Sequence, residues 1–190
     1  MNPKHALSPD EAREFVRLLK KIQESDFWIP EGAWQETLRT FSRYACELVI
    51  VDQARGAPRI LLTRYTGGTM PSHQSHFHIP GGFGRVDESL DETCSRVAKD
   101  ELGIDVKFKK VVDVHKWSVD EGEAGIRPLS LYSLCEPLRE IPQSESCRFF
   151  TREEMLALSA DDMVTFHPHR AFLDRYLQQL ESSESSNPMF

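Results

Sequence analysis

The sequence predicts an α/β protein in which helices cover both faces of a mixed β-sheet. Apolar segments of strand length alternate with segments that repeat at helical spacing. Their order along the chain is two helices, three strands, one helix, further strands and two final helices. A length of 190 residues suffices for one domain with a sizeable core and an added element.

The first two helices are predicted to form an N-terminal helical extension over residues 1–44. In "LSPDEAREFVRLLKKIQ", Ser8 can cap the helix, Pro9 suits its first position and Glu11 completes a capping box. "PEGAWQETLRTFSRYA" is typical of a second, shorter helix. Neither segment carries a chemical constellation, so packing is their expected role, and they are candidate contacts of a homodimer.

The main domain is predicted over residues 45–180. Its predicted strands are "CELVIVD", "RILLTRY", "FHIP", "VKFKKVVDVHKWSV" and "LSLYSLCEPL". "SCRFFT" is predicted to be a short strand or an extended entry into the segment that follows. A short helix is expected in "TREEMLAL", and a terminal helix is expected to begin near "HPHRAFLDRYLQQL". The polar tail "ESSESSNPMF", residues 181–190, is predicted to be disordered.

Composition narrows the function classes. The net charge of −7 argues against general binding to a nucleic acid backbone, which depends on many Lys and Arg contacts. No apolar run approaches the length of about 20 residues that a membrane span needs, and the first 20 residues are interrupted by charges. The four cysteines form no C-x-x-C pair, so we expect reduced thiols and a cytoplasmic protein. A small polyanionic substrate remains compatible if a metal ion or local arginines neutralise it.

Residues 78–104, "HIPGGFGRVDESLDETCSRVAKDELGI", combine a glycine-rich turn with an acidic helix. Ser89 and Glu92 form a second capping-box pattern, which predicts a helix from residue 90, and Gly103 is a natural residue for its end. At about 100° per residue, Glu101 falls in the middle of an apolar stripe on this helix. A carboxylate buried there needs a partner.

Two kinds of partner for Glu101 fit the sequence. One is a basic side chain, such as Arg96 or an arginine of a strand. The other is a divalent cation shared with Asp100 and Glu88. A salt-bridged surface helix, with Glu92–Arg96 and Arg96–Asp100 pairs, would also explain the charges. The preceding "PGG" turn favours a ligand, because its backbone can approach one closely and its carbonyls can join carboxylates around a hard cation.

The stretch resembles the Nudix box, written G-x5-E-x7-R-E-U-x-E-E-x-G-U with U a bulky apolar residue. The outright matches at the required spacing are Gly82, Glu88, Arg96, Glu101, Gly103 and Ile104. Asp100 replaces a glutamate conservatively, whereas Val97 replaces the glutamate that follows the arginine. The wider pattern of strands and helices extends the likeness over about residues 45–175. The resemblance implies a Nudix-like α/β/α sandwich that uses Mg or Mn to cleave nucleoside diphosphates linked to another moiety.

The resemblance also implies roles for individual residues. Glu101 would be the chief metal ligand, with Asp100 and Glu88 assisting directly or through water. Arg96 would orient the carboxylates, so that Glu101, Arg96 and Glu88 form the catalytic set. Further substrate-binding candidates in the same loop are Gly81, Gly82 and Arg85. Val97 removes one usual ligand.

Within this superfamily, the GDP-mannose mannosyl hydrolases have a similar box that also lacks that acid, and they cleave the sugar C–O bond. "LLTRY" resembles their strand that ends in a substrate-contacting arginine, here Arg64. "PQSESCRFFT" resembles their "Q-H-x-x-Y-R-W" segment, in which Gln143 would match a metal ligand. Ser144 stands where they place a histidine base, and a serine cannot act as a base at neutral pH. Glu145 or His115 are the substitutes that the sequence offers.

Three hypotheses follow. The favoured one is a Mg-dependent Nudix-type hydrolase of a nucleoside diphosphate derivative, above all a GDP-mannose-like nucleotide sugar. The second is a pyrophosphohydrolase of another nucleotide or dinucleotide. The third is a non-catalytic module that senses a nucleotide or binds a protein, which Val97 and Ser144 favour and the retained acids argue against.

Overall fold

The computed structural model describes residues 7–25, 28–40, 43–53, 56–64, 76–118, 128–158 and 167–185. The chain forms two compact units, Met1–Thr40 and Phe41–Phe190. The domain boundaries that the sequence predicts, at residues 44 and 180, stay a prediction.

The described residues of the first unit form two helices, α1 (Pro9–Glu24) and α2 (Glu31–Thr40). Ser8 and Glu11 form the predicted capping box at the start of α1. No residue of α1 is buried. Its apolar face includes the exposed side chains of Phe15, Val16 and Leu19.

The second unit contains eight strands and three helices in the described part of the chain. The strands are β1 (Tyr44–Val49), β2 (Val51–Asp52), β3 (Arg59–Arg64), β4 (Phe77–His78), β5 (Gly81–Phe83), β6 (Val106–Lys116), β7 (Leu129–Pro137) and β8 (Cys147–Thr151). The helices are α3 (Leu90–Leu102), α4 (Arg152–Leu156) and α5 (His167–Ser185). The predicted elements are therefore present, in the predicted order.

The strands form two sheets. One has the order β5-β1-β7-β6, in which β1 and β7 run parallel and the other pairs are antiparallel. In the other, β3 pairs antiparallel with β2, β4 and β8. The mixed sheet that the sequence predicts is confirmed.

β1 is an inner strand of the first sheet, and both of its faces are buried. Cys46 and Leu48 belong to a core cluster that includes Cys94 and Val97 of α3. Val49, whose side chain points to the opposite face, belongs to a second cluster. The members of that cluster from α5 are Phe172, Leu173 and Leu177. Helices therefore cover both faces, which confirms the α/β/α sandwich.

Two local features differ from the sequence prediction. The segment "CELVIVD" is not one strand but two, because the chain passes from the first sheet to the second at Ile50, whose carbonyl accepts a hydrogen bond from the Leu61 N–H at 3.0 Å. The predicted glycine-rich turn contains strand β5, in which Gly81 pairs with Glu47. Sequence propensity misses β5 because glycine disfavours strands in general.

Helix α5 extends into the segment that the sequence predicts to be disordered. Residues 181–185, which the sequence assigns to a disordered tail, form the last turn of α5. The hydroxyls of Ser182 and Ser183 donate to the carbonyls of Gln178 and Gln179, each at 2.8 Å, so these polar residues bond to the helix backbone. Residues 186–190 lie outside the described part. No helix among the described residues is long and apolar enough to cross a membrane.

Candidate active site

Helix α3 is bounded by the caps that the sequence predicts. The Ser89 N–H donates to Glu92 Oε2 at 2.8 Å, and the Glu92 N–H donates to Ser89 Oγ at 3.3 Å. Gly103 ends the helix in the left-handed conformation, with φ of 66°. This conformation is higher in free energy for a residue with a Cβ atom than for glycine. These caps determine which residues lie at the two ends of α3, and therefore which side chains lie near the glycine-rich loop.

The buried face of α3 is shorter than the apolar stripe predicts. It consists of Thr93, Cys94, Val97 and Ala98. Glu101 comes one turn later, and its side chain is 27% exposed. The prediction that Glu101 is buried within the stripe is therefore wrong, because α3 ends at Leu102 and the stripe leaves the core before it reaches Glu101.

The observed partners of Glu101 are a backbone amide and a histidine. Its Oε2 atom accepts a hydrogen bond from the Gly81 N–H at 3.2 Å and lies 3.4 Å from His78 Nε2. Arg96, which the sequence offered as a partner, contacts Glu88 instead. The sequence analysis did not find His78 as a partner of Glu101, because nothing in "HFHIPGG" shows that β4 ends beside α3.

Arg96 holds Glu88 with two parallel hydrogen bonds. Arg96 Nε donates to Glu88 Oε1 at 2.6 Å, and Arg96 Nη2 donates to Glu88 Oε2 at 2.8 Å. Arg96 Nη2 also donates to the Phe83 carbonyl at 2.8 Å. These bonds from Arg96, aided by the Arg85 N–H and the Thr93 hydroxyl, lower the pKa of Glu88 to about 2. The pair therefore ties α3 to the preceding loop and keeps Glu88 ionised.

Glu88 and Asp100, the other acids of the box, differ in how accessible their oxygens are to a metal ion. Both oxygens of Glu88 already accept hydrogen bonds, so this geometry favours the indirect, water-mediated role that the resemblance allows. Asp100 is 62% exposed, and its Oδ2 atom lies 3.7 Å from Arg96 Nη1. The side chains of Asp100 and Glu101 thus both extend from the C-terminal end of α3, and both have accessible carboxylate oxygens.

The glycine-rich loop is packed too closely for larger residues. A Cβ atom on Gly81 would lie 2.2 Å from Glu47 Oε2, whereas one on Gly82 would meet Val97 Cγ2 at 3.1 Å. Gly81 also supplies the N–H that binds Glu101. Arg85 follows in the loop with a side chain that is 58% exposed. These three predicted substrate-binding residues lie beside α3, and their substrate role stays a prediction.

A buried charged group lies beneath the loop, and the sequence analysis did not find it. Glu47, in the middle of β1, is 6% exposed. Its Oε1 atom accepts a hydrogen bond from Ser130 Oγ at 2.9 Å and lies 3.5 Å from His169 Nε2. Burial alone would raise the pKa of Glu47, but His169 and Ser130 lower it below the usual value. The available signal was a single acid inside the apolar strand "CELVIVD".

An open cleft lies at the end of β3. It has a volume of about 730 Å³, and its described lining is Arg64, Phe77, Gln143, Ser144, Glu145 and Arg148. The structure therefore brings together Arg64 and Gln143, which the sequence placed in one site from separate segments. β4 borders both regions: Phe77 lines the cleft, and the next residue, His78, points to the opposite face of the strand and contacts Glu101. Among the described residues, His115 is not part of this lining; its ring lies 6.1 Å from that of Trp117.

The donors present fit a magnesium ion that keeps part of its water shell. In the described part of the chain, no group of three His, Cys, Asp or Glu side chains is arranged to hold a metal ion. A cage of protein ligands, as structural zinc requires, is therefore not formed there. Mg usually binds through one or two carboxylates, waters and substrate phosphates, and the exposed oxygens of Glu101 and Asp100 meet that need.

Comparison with known proteins agrees with the fold. The NUDIX domain model matches residues 45–169, so the chain belongs to the NUDIX domain family. The match confirms the superfamily and the predicted enzyme class, a Nudix-type hydrolase. A search of curated proteins found no match to the chain.

Solved structures share the fold at low sequence identity. A NUDIX hydrolase from Nitrosomonas europaea is 15% identical with a TM-score of 0.56, over 73% of this chain and 71% of that one. A UDP-X diphosphatase is 15% identical with a TM-score of 0.54, over 95% of this chain and 87% of that one. The C. elegans Ap4A hydrolase is 16% identical with a TM-score of 0.53, over 75% of this chain and 98% of that one. At these identities the likeness establishes a common fold.

Proposed function

We propose that the protein is a Mg- or Mn-dependent hydrolase of a nucleoside diphosphate linked to a sugar. The observation that carries this proposal is the position of Glu101. Its carboxylate accepts a hydrogen bond from the Gly81 N–H at the end of α3, and strand β4, which contacts it through His78, also borders a cleft that contains Arg64 and Gln143. Accessible acids at a helix end and an arginine-lined cleft both suit a metal-bound diphosphate.

The proposed roles follow from the contacts. Glu101 and Asp100 hold the metal ion, with Gln143 as a further ligand from the cleft. Arg96 and Glu88 keep α3 and the loop in register, since their bonds connect residues on both segments. Arg64 and Arg85 bind the substrate, and the backbone of Gly81 and Gly82 allows its close approach. When bound, the metal ion neutralises charge that develops on the diphosphate as the bond breaks.

Val97 indicates which bond of the substrate the enzyme cleaves. This residue stands where the Nudix box has a further acid, and here it is 2% exposed and part of the core. A buried valine provides no metal ligand, so fewer carboxylates are available to hold several ions for attack on phosphorus. Cleavage of the sugar C–O bond, with the diphosphate as leaving group, needs less activation of phosphorus. We therefore favour C–O cleavage of a GDP-mannose-like substrate.

The general base is the part of the site with the fewest candidates. Ser144 lies in the cleft, where its hydroxyl is 3.0 Å from that of Ser146. A serine hydroxyl does not accept a proton at neutral pH without a stronger base beside it. Glu145 lines the same cleft, so it is the better placed of the two substitutes that the sequence offered.

Cleavage of a phosphoanhydride bond is the second candidate. The UDP-X diphosphatase and the Ap4A hydrolase that share this fold carry names that indicate other nucleotide substrates. These names make dinucleotides and other nucleoside diphosphate derivatives worth testing beside nucleotide sugars.

Product analysis in ¹⁸O-labelled water tests the proposal and separates the two candidates. The full chain would be incubated with Mg and a panel of nucleotide sugars, dinucleotides and nucleoside triphosphates, and the products identified by mass spectrometry. C–O cleavage predicts a free sugar that carries the label and an unlabelled nucleoside diphosphate. Attack on phosphorus would place the label on a phosphate and would contradict the C–O assignment.

A further inference from the structure

Arg148 occupies an unusual position in the cleft. It lies on β8, and its Cζ atom is 4.2 Å from the centroid of the Phe150 ring and 5.9 Å from that of Phe77. The residue is exposed. In the described part of the chain, these ring contacts are the side-chain interactions that Arg148 makes, and no carboxylate or carbonyl accepts a hydrogen bond from its guanidinium.

The rings beneath Arg148 hold it in place. Phe77 and Phe150 are 1% and 0% exposed and meet edge to face with centroids 4.8 Å apart. A guanidinium group that stacks on a fixed ring loses freedom before any ligand arrives, while its N–H donors remain around the rim of the plane. Arg148 is therefore preorganised to donate to a planar or tetrahedral oxyanion.

Arg64 provides a second guanidinium in the same cleft. Leu62 of β3 is opposite Arg148 of β8, and Arg64 lies two residues further on the same face of the sheet. The Arg64 Cζ atom is 4.1 Å from the Phe77 ring centroid. Glu145 is the acidic residue of the described lining, so the two arginines give the cleft an excess of positive charge.

Together these contacts favour an anion over a nucleobase as the ligand. Guanidinium groups lie over Phe77 and Phe150, so neither ring is open for a base to stack on it. Two cations at a fixed spacing suit a group that carries more than one negative charge, and a diphosphate offers oxygens to both.

We propose that Arg148, together with Arg64, binds the diphosphate of the substrate. This inference deepens the proposed function and rests on it. It assigns a binding role to Arg148, and it limits the substrates to compounds whose two phosphates lie beside Gln143 in the cleft.

Binding measurements on the full chain test this assignment without any need for turnover. Titration calorimetry in the presence of Mg would use GDP, inorganic pyrophosphate and guanosine as probes. The variants are Arg148→Met, which removes the charge, and Arg148→Lys, which keeps the charge but loses the planar fork. Arg17→Met is the matched control, because Arg17 is an exposed arginine of α1 that pairs with Glu14.

We expect Arg148→Met to weaken the binding of GDP and of pyrophosphate by about 10- to 100-fold, the range for losing hydrogen bonds to a charged group. Arg148→Lys should fall between this variant and wild type, and Arg17→Met should bind within about twofold of wild type. Guanosine, which lacks phosphates, should bind no more weakly to Arg148→Met than to wild type. An unchanged thermal unfolding midpoint would show that each variant is folded.

Three results would overturn the assignment. These are wild-type affinity of Arg148→Met for both phosphate probes, an equal loss of guanosine binding, and a wild-type chain that binds neither GDP nor pyrophosphate. A chain that binds pyrophosphate through Arg148 but hydrolyses no substrate would refute the proposed function and leave the binding role intact, so the two failures are distinguishable.

Discussion

The ion pair between Glu88 and Arg96 holds the glycine-rich loop against α3. Their two hydrogen bonds, at 2.6 and 2.8 Å, join the loop to the helix while Glu101 remains accessible at the helix end. Because both groups are largely buried in side-chain area, with 14% and 22% exposed, removing one partner leaves the other with an uncompensated charge.

The first prediction concerns the pH dependence of this pair. Arg96→Met should lower the free energy of unfolding at pH 7 by about 1–3 kcal/mol, since a pKa unit corresponds to about 1.4 kcal/mol and partial solvent screening reduces the effect. The folded-state pKa of Glu88 is lowered from 4.5 to about 2, so the pair stabilises the fold above about pH 4.5 and loses this contribution as the pH falls towards 2.

Urea denaturation of wild type and Arg96→Met at several pH values between 3 and 7 would measure the difference. Arg175→Met is the control, because Arg175 forms a more exposed pair with Asp113 and its effect should be smaller. A stability difference between wild type and Arg96→Met that stays constant from pH 7 to pH 3 would contradict the ion-pair account.

The second prediction concerns Gly81 of the loop. Gly81→Ala should destabilise the fold by about 1–3 kcal/mol, the usual cost of forcing extra volume into a packed site, and should reduce turnover. The new Cβ atom would lie 2.2 Å from Glu47 Oε2, and the shift that relieves this clash would displace the N–H that binds Glu101. Gly32→Ala is the control, because Gly32 belongs to α2 and a Cβ atom built there would meet nothing within 4 Å. Equal losses in both variants, by chemical denaturation and by turnover, would argue against a special role for Gly81.

At the scale of elements, α3 and α1 begin with the same capping box but differ in what they bury. Thr93, Cys94, Val97 and Ala98 of α3 are buried in the second unit, whereas α1 buries no residue. A helix that contributes to a core transmits the loss of its cap to the stability of the whole unit.

The third prediction follows from this contrast. Ser89→Ala should lower the unfolding free energy of the second unit by about 1 kcal/mol, the typical cost of losing an N-cap side chain. Ser8→Ala removes the same cap from α1 and should leave the main unfolding transition nearly unchanged. Circular dichroism during urea denaturation would measure both, and a larger effect for Ser8→Ala would reverse the expected order.

The sequence predicted these elements well where local chemistry decides them. Ser89 with Glu92 and Gly103 mark the ends of α3 through short-range bonds, and the predicted ends agree with the observed ones. Strand β5 was missed because its formation depends on Glu47 of β1, which is far away in the sequence but lies opposite Gly81 in the sheet.

The candidate site was predictable only in part for the same reason. The motif spacing identified the acids and Arg96, but helical periodicity placed Glu101 inside the core because it cannot show where the neighbouring strands end. His78, Glu47 and Arg148 gain their contacts from tertiary packing, and no spacing pattern around them indicates those contacts.

At the scale of the whole molecule, β1 connects the two cores and the site. One face of β1 packs with α3 and the other with α5, while Glu47 lies against Gly81 of the loop. Residues 45–169, which match the NUDIX domain, thus contain the described candidate site residues.

The predicted homodimer stays a prediction, and α1 offers its test. The exposed apolar residues Phe15, Val16 and Leu19 form a helical face of the kind that pairs with another helix. We expect sedimentation to show a dimer of the full chain and a shift towards monomer for Leu19→Glu. Lys21→Glu, on the opposite side of α1, should sediment as wild type does. A monomeric wild-type chain would contradict this prediction.

The most direct test of the central claim is Mg-dependent turnover by Glu101→Gln beside Asp105→Asn. Both variants replace a carboxylate with an amide near the end of α3, but Asp105 pairs with Lys99 and is 63% exposed. We predict that Glu101→Gln loses at least about 100-fold in kcat/KM, because a metal-ligating charge is lost from the transition state, while Asp105→Asn retains wild-type activity and Mg dependence. Wild-type turnover by Glu101→Gln would contradict the assignment of this helix end as the catalytic metal site.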